Sequence, residues 1–431
     1  MKVLIIGSGG REHALGWKIA SESSDNEIHF LPGNGGTLEI GSNIAAAATD
    51  LEAVIQTAGE ISPDLMVVGP EDPLASGVVN RLDDLGFTVF GPTAAGAGIE
   101  SSKAFAKDLM SRYSIPTAPY KTFTSESNAH AFIDKTSKPL VVKADGLARG
   151  KGSIVTASKE EAHRAVDLIM GEKAFGDAGD TVVVEERLTG EEASVLAITD
   201  GEHYVVLPPS QDHKPAYDGD EGPNTGGMGA YCPAPVVDRD TLAQIEQTVL
   251  KRILKGLRQE NIDYRGVIYA GLMINDEGAF VIEFNSRFGD PETQCMMPVI
   301  DVNLGGLLTA AAQGRLEKTY RIEAARWAVS VVMASGGYPG AYQKGKTIRG
   351  VEEASACKGI NIFHAGTTRL EGGELVTSGG RVLAVTGTGG TLREARRKVY
   401  DAGRLIKFED MHMRTDIGLK GLARLQKTGV S

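Results

Sequence analysis

Between residue 1 and about residue 102 the chain alternates short apolar runs with helical stretches, and each apolar run ends in a loop of glycine and proline. The runs are Lys2–Ile6, Glu27–Leu31, Leu65–Val68 and Thr88–Phe90. They are continuous where a half-exposed strand would alternate, so they suit strands buried on both faces. Arg11–Ala20 has a helical pattern, with Ala14, Leu15, Trp17 and Ile19 mostly inward. Strand–helix alternation with these loops predicts a parallel, doubly wound sheet. Ligands bind such sheets at the loops after the strands, here Gly7–Glu12, Pro32–Thr37 and Gly69–Pro73.

A nicotinamide dinucleotide would need Gly-x-Gly-x-x-Gly after the first strand, and the sixth position is Glu12. The second strand ends in Pro32-Gly33 where an acid would hold the ribose, so that reading falls behind. A helix start with free amides at Gly9 and Gly10 still suits a single phosphate.

After residue 102 the pattern changes. Ser101-Ser102-Lys103 caps a helix running to Ser111, and Pro116 and Pro119 mark a linker. The strand Lys138–Lys143, the loop Ala144–Gly152 and the strand Ser153–Ala157 form a hairpin. This is not a Walker A loop: Gly146 to Lys151 is one residue short, and Gly152 replaces the hydroxyl. Glycines with Lys143 and Lys151 suit a flap over a triphosphate; the alternative is a solvated hairpin tip. After a helix from Lys159 to Met170, the strand Asp180–Leu188 ends in Glu185 and Glu186 and leads through Glu191 and Glu192 into Ala193–Ile198. Such an acidic strand end suits adenine and ribose, although paired glutamates are usually plain surface. Gly222–Tyr231, rich in glycine, reads as neither strand nor helix but as a loop that is mobile or touches substrate. A helix Asp240–Glu260 and a strand Gly266–Asn275 follow, with a turn at Asp276-Glu277-Gly278.

That turn leads into Val281–Glu292. Period-two alternation places Phe280, Ile282 and Phe284 on one face and Val281, Glu283 and Asn285 on the other. Carboxylate and amide oxygens two residues apart are what a hard cation such as Mg2+ takes, while the alternative is a strand with one wet face. Arg287, Asp290 and Glu292 follow in a Gly-Pro loop, and charges beside an apolar strand are costly unless used. From about residue 324, strands at Ala328–Ala334, Asn361–His364 and Val382–Thr386 and a helical stripe of Leu392, Ala395, Val399, Ala402 and Ile406 predict a small α+β domain.

Composition narrows the function class. A net charge of -11 over 431 residues argues against a nucleic-acid surface. Cys232, Cys295 and Cys357 are scattered, which suits a reducing compartment. The eight histidines have no zinc-motif spacing. No apolar run reaches the roughly 18 residues of a membrane span, and the start is too short in apolar residues for a signal peptide. The expectation is a cytoplasmic enzyme.

With Lys143, the glycine flap, Glu185 and Glu283-x-Asn285 in that order, the chain resembles the ATP-grasp ligases, and within them the glycinamide ribonucleotide synthetase family. The segments that carry the resemblance are Gly9-Gly10-Arg11-Glu12-His13-Ala14, Pro32-Gly33-Asn34, Val68-Gly69-Pro70-Glu71, Lys143–Ala148, Ser210–Lys214, Gly222–Tyr231 and Arg287–Glu292. It implies an ATP-grasp fold with an N-terminal doubly wound parallel-sheet domain (1–102), an ATP-grasp domain (103–323, with a mobile lobe at about 120–190) and a small C-terminal α+β domain (324–431). It implies ATP-dependent joining of glycine to 5-phosphoribosylamine by way of glycyl phosphate, in purine biosynthesis, by a monomer. Among the residues it implies, Lys103 and Lys143 hold ATP phosphates, and Gly150, Lys151, Gly152 and Ser153 cover them. Glu185, Glu186 and Leu188 read adenine, and Glu192 (or Glu191) holds ribose. Glu283 and Asn285 bind Mg2+ or Mn2+. Asp212, His213, Lys214, Arg287 and Asp290 meet glycine and the amine, with Asp212, Arg287 and Asp290 catalytic, while Gly10, Arg11 and Asn34 meet the substrate phosphate. The superfamily often adds an acidic metal ligand from the preceding strand, and Tyr269–Met273 contains none.

Overall fold

The computed structural model describes residues 1–148 and 152–429. Five parallel strands form the first sheet, in the order Ser42–Asn43, Glu27–Pro32, Lys2–Gly7, Leu65–Val68, Val89–Phe90. The pleat of the central strand explains why both faces are apolar. Val3 and Ile5 pack with Leu15 and Ile19 of the helix Gly10–Ala20. Leu4 and Ile6 pack with Val54 and Ala58 of the helix Leu51–Ile61 on the other side. Each of these strand residues is fully buried, at roughly 2 kcal/mol apiece.

A four-stranded antiparallel lobe follows, in the order Tyr120–Phe123, Val182–Glu186, Leu140–Ala144, Ser153–Val155. Leu140, Val142, Val182 and Val184 face the helices Glu126–Lys135 and Lys159–Val166 through Ile133, Ala162 and Val166. Period two therefore turns Lys143 and Glu185 to the opposite face. The central sheet runs Gly278–Asn285, Gly266–Asn275, Glu191–Thr199, Tyr204–Val206, Tyr320–Arg321. A last sheet runs Gln211–Asp212, Gly229–Cys232, Trp327–Ala334, Arg381–Gly389, Ile360–His364, and the helix Leu392–Gly403 packs on it through Leu392, Ala395 and Val399. Among the described residues no helix is long and apolar enough to cross a membrane.

Two sequence expectations need correction. Gly222–Tyr231 was expected to be neither strand nor helix, yet Glu221–Asn224 and Gly229–Cys232 are strands. The second is central in its sheet, with Ala230 opposite both Asp212 and Ser330. Glycine is needed there for clearance: a Cβ on Gly229 would lie 2.7 Å from the Ser330 oxygen and 2.8 Å from Ile417. Gly229→Val should therefore destabilise the fold by about 1–3 kcal/mol, read as a lower urea midpoint at unchanged slope. An unmoved midpoint would mean the strand has room to shift.

The second correction concerns the pleat of Gly278–Asn285. Gly271 pairs with Glu283 but its neighbour Leu272 pairs with Val281, which leaves Ile282 as an extra residue. The bulge puts Val281 and Phe284 together in the core, where alternation had them on opposite faces. Glu283 and Asn285 stay together beyond it and line the cleft.

Candidate active site

The lobe, the central sheet and the loops of the first and last sheets enclose a cleft of about 1170 Å³. On the lobe side, the helix Lys103–Arg112 starts at the Ser102 cap, whose hydroxyl accepts from Phe105 N–H. The flap's acid, Asp145, accepts from Ala104 N–H at 3.0 Å, and the Lys103 ammonium donates to the Gly146 carbonyl at 2.8 Å. Burial lowers the Lys103 pKa against the pull of nearby Glu283. Gly152 and Ser153 line the cleft; Gly150 and Lys151 lie outside the described residues.

Lys143 and Glu185, expected at phosphate and adenine, are bonded to each other. Lys143 Nζ lies 2.5 Å from Glu185 Oε1 and donates to the Ile282 carbonyl at 2.9 Å, so it rests on the bulge. Lys107, which the sequence did not single out, binds the other Glu185 oxygen and donates to Thr117 Oγ1. Burial pushes Glu185 up, but the two lysines outweigh it and hold the carboxyl below its ordinary value. Burial also brings Lys107 down to about 8. Glu186, Leu188, Glu191 and Glu192 line the same end. Glu191 pairs with Arg424, while Glu192 lies 3.6 Å from Lys214 Nζ.

At the floor, Lys214 Nζ is 3.3 Å from Glu283 Oε1. Chiefly through Lys214, then against burial with help from Lys143 and Lys103, the Glu283 carboxyl is held down at about 2. Asn285 Oδ1 accepts from Arg287 Nη2 at 3.2 Å. An ionised carboxylate and an amide oxygen on one face fit a hard cation. The neighbouring strand adds no third ligand, since Gly271 is the residue opposite Glu283.

Beyond the strand, Arg287 lies 3.3 Å from Glu71 and 2.9 Å from Glu100. Asp290 accepts from Gln294 at 2.7 Å and from Arg11 N–H at 3.3 Å, and lies 3.3 Å from Arg381. Burial raises the Asp290 carboxyl, and Arg381 with Arg11 brings it below normal. Asp212 goes the other way: burial lifts it to about 7 despite Lys214, and Glu292 adds to the rise. Glu292 itself accepts from Tyr269 at 2.5 Å and Ser194 at 3.3 Å. His213, Arg11 and Lys214 also line the cleft.

Gly10 and Asn34 sit apart from that lining. Gly10 lies against Gln294, and a Cβ there would meet Nε2 at 2.5 Å. The Asn34 amide donates to the Ser8 and His364 carbonyls, and its oxygen accepts from Gly36 N–H. The Gly9 amide, expected to be free for phosphate, donates to Glu12 Oε2 at 2.6 Å. The sixth-position glutamate turns inward and uses the helix start itself. Glu71, Glu100, Arg381, Glu292 and Tyr269 were not assigned from sequence. Glu71 and Glu292 lie inside the matched motifs, but nothing local marks Glu100 or Arg381.

Three buried histidines hold the protein to neutral pH. Burial lowers His13 to about 3 and His213 and His364 to about 4. His13 Nδ1 accepts from the His364 backbone N–H at 2.9 Å, joining the first and last domains. The unfolded chain takes up protons near pH 6.5 that the folded one refuses until much lower pH. Stability should therefore fall as pH drops from about 6.5 toward 4, by roughly 4 kcal/mol per pH unit at its steepest for three protons. Urea melts across this range test it; a flat profile would mean that these imidazoles are charged in the fold.

Three family models match in tandem: Phosphoribosylglycinamide synthetase N domain at residues 1–100, ATP-grasp (A) domain at 101–293 and C domain at 328–420. A phosphoribosylamine–glycine ligase of Rhodopirellula baltica is 48% identical, with 99% of each chain covered. The trifunctional purine biosynthetic protein adenosine-3 of Homo sapiens is 49% identical over 99% of this chain, which spans 42% of that longer protein. The crystal structure of a phosphoribosylamine–glycine ligase from Thermotoga maritima superposes with a TM-score of 0.84 at 39% identity, covering 96% of this chain and 100% of that one.

Proposed function

The chain belongs to the phosphoribosylglycinamide synthetase family, and from that premise we propose how its cleft works. It is an ATP-dependent ligase that joins glycine to 5-phosphoribosylamine in purine biosynthesis, giving glycinamide ribonucleotide, ADP and phosphate. A carboxylate does not react with an amine until one of its oxygens becomes a leaving group. A glycine carboxylate oxygen therefore attacks the γ-phosphorus of ATP, ADP departs, and glycyl phosphate forms. The amine of phosphoribosylamine then attacks the acyl carbon, phosphate leaves, and the nitrogen gives up a proton.

No enzyme nucleophile is required, so catalysis rests on placement and charge. Lys103 and Lys143 hold the ATP phosphates, with Gly152 and Ser153 beside them in the cleft lining. Glu185, Glu186 and Leu188 meet adenine, and Glu192 meets ribose. Glu283 and Asn285 would hold Mg2+, or Mn2+, which when bound neutralises phosphate charge. Arg287 and Asp290 orient glycine and the amine with His213 and Lys214, and Arg11, which lines the cleft, serves the phosphate end, while Gly10 and Asn34 lie apart from it. Asp212, lifted to about 7, is matched to take the amine proton near neutral pH. The observation that carries this reading is Glu283, held ionised among Lys214, Lys143 and Lys103 on the strand that continues into Arg287 and Asp290. We read the chain as a monomer in the cytoplasm, a reducing compartment that suits its three free cysteines.

The test is ADP release from ATP with glycine and phosphoribosylamine generated in situ, beside other acids and amines. Release that needs both substrates supports the assignment, and turnover indifferent to glycine would sink it.

A further inference from the structure

On the face of the lobe away from the cleft, the helices Glu126–Lys135 and Lys159–Val166 bring together two histidines and three acids. Glu126 and His130 lie one turn apart on the first helix, and Asp167 follows the second. His130 Nε2 is 3.0 Å from Asp167 Oδ1 and 3.7 Å from Glu126 Oε1. One ligand atom from each of the three residues falls within 4.8 Å of the others. Behind them, His130 Nδ1 meets His163 Nδ1 at 2.6 Å, with the rings stacked at 4.8 Å, and His163 Nε2 meets Asp134 Oδ1 at 3.1 Å.

Proton positions follow from what each partner can do. An ionised Asp134 only accepts, so His163 Nε2 carries a hydrogen. Between the two Nδ1 atoms one ring donates and the other accepts, and a His130 that donates from Nδ1 as a neutral ring keeps its Nε2 free for a metal. The positive charge among Nε2 and the two carboxylates is then either a proton on His130 or a metal ion. An imidazole nitrogen with two carboxylate oxygens is a zinc-type donor set, and an outer hydrogen-bonded relay is how ligating imidazoles are commonly fixed.

We propose that Glu126, His130 and Asp167 bind a divalent transition-metal ion of the zinc class, with His163 and Asp134 orienting His130. All three ligands are partly exposed, so water completes the shell. Motif spacing does not reveal the site, because its ligands come from two helices. The ion would tie these helices together over the sheet that carries Lys143 and Glu185.

The test uses the full chain after chelator treatment, titrated with Zn2+ by calorimetry and with Co2+ by visible absorption. Glu283→Gln should retain one equivalent of tetrahedral-type Co2+ signal. His130→Gln should lose it, and Glu126→Gln should weaken Zn2+ at least tenfold, each with Mg2+-dependent ligase turnover unchanged. Equal Zn2+ and Co2+ binding by wild type, His130→Gln and Glu126→Gln would overturn the proposal. So would a His130 imidazolium in histidine NMR that saturating Zn2+ does not displace.

Discussion

Glu283→Gln is expected to lower kcat by on the order of 10²–10³-fold and to raise the Mg2+ concentration needed for half-maximal rate, with the fold retained. The carboxylate is held at about 2, so it is fully ionised throughout the working range, and the amide removes that charge while keeping shape and one oxygen. Stability at neutral pH should drop, since a carboxyl held at about 2 stabilises the fold when ionised. The fold should be kept because Glu283 is partly exposed and Lys214 retains Glu192 at 3.6 Å. The measurement is an Mg2+ titration of ADP release at saturating substrates, with circular dichroism as the fold control. An unchanged magnesium half-point together with a low rate would assign Glu283 to holding Lys214 and not to the metal.

Arg287→Met is expected to cost about 3–5 kcal/mol of stability as well as activity, because it strands two carboxylates. Arg287 lies between Glu71 and Glu100, and the second oxygen of the buried Glu100 side chain accepts from the Ser286 amide and hydroxyl. Burial raises the Glu100 pKa even with Arg287 beside it, whereas at Glu71 the arginines overcome burial and hold the value at about 2. In the wild type, stability from the lowered Glu71 is present above about 4.3 and lost as pH falls through 2. In the variant both acids prefer their protons, so the penalty should be largest at neutral pH and shrink as pH falls toward 4. Adding Glu100→Gln should recover part of the loss. A penalty that does not vary with pH, or no recovery, would mean the arginine matters for packing alone.

The sequence made the sheet of the first hundred or so residues legible because parallel strands are written as uninterrupted apolar runs. The strand Gly266–Asn275, antiparallel to both neighbours, was read to both ends because it is central and largely apolar, its turn being marked by Asp276-Glu277-Gly278. Ile282 could not be seen as a bulge, because an extra residue is defined only by the partner, and nothing in Val281–Asn285 announces that Leu272 will pair with Val281. Gly229–Cys232 was missed because its glycine looks like loop chemistry until Ser330 is placed behind it. Within the site, residue types were legible and pairings were not. Lys143 and Glu185 were assigned to different parts of ATP, yet adjacent strands set them against each other. Arg381 donates to the Asp290 carbonyl across 91 residues, a distance over which local pattern carries no information.

The last sheet draws two of its five strands, Gln211–Asp212 and Gly229–Cys232, from the middle of the chain. Linear divisions of this polypeptide are therefore not its mechanical parts. A piece beginning near residue 324 would carry Trp327–Ala334 with one side stripped of its neighbour, an open hydrogen-bonding edge of the kind that recruits other chains. Modular exchange of that terminal region between relatives would have to bring residues 211–232 with it, so the loop that bears Asp212, His213 and Lys214 is inherited together with the sheet that supports it.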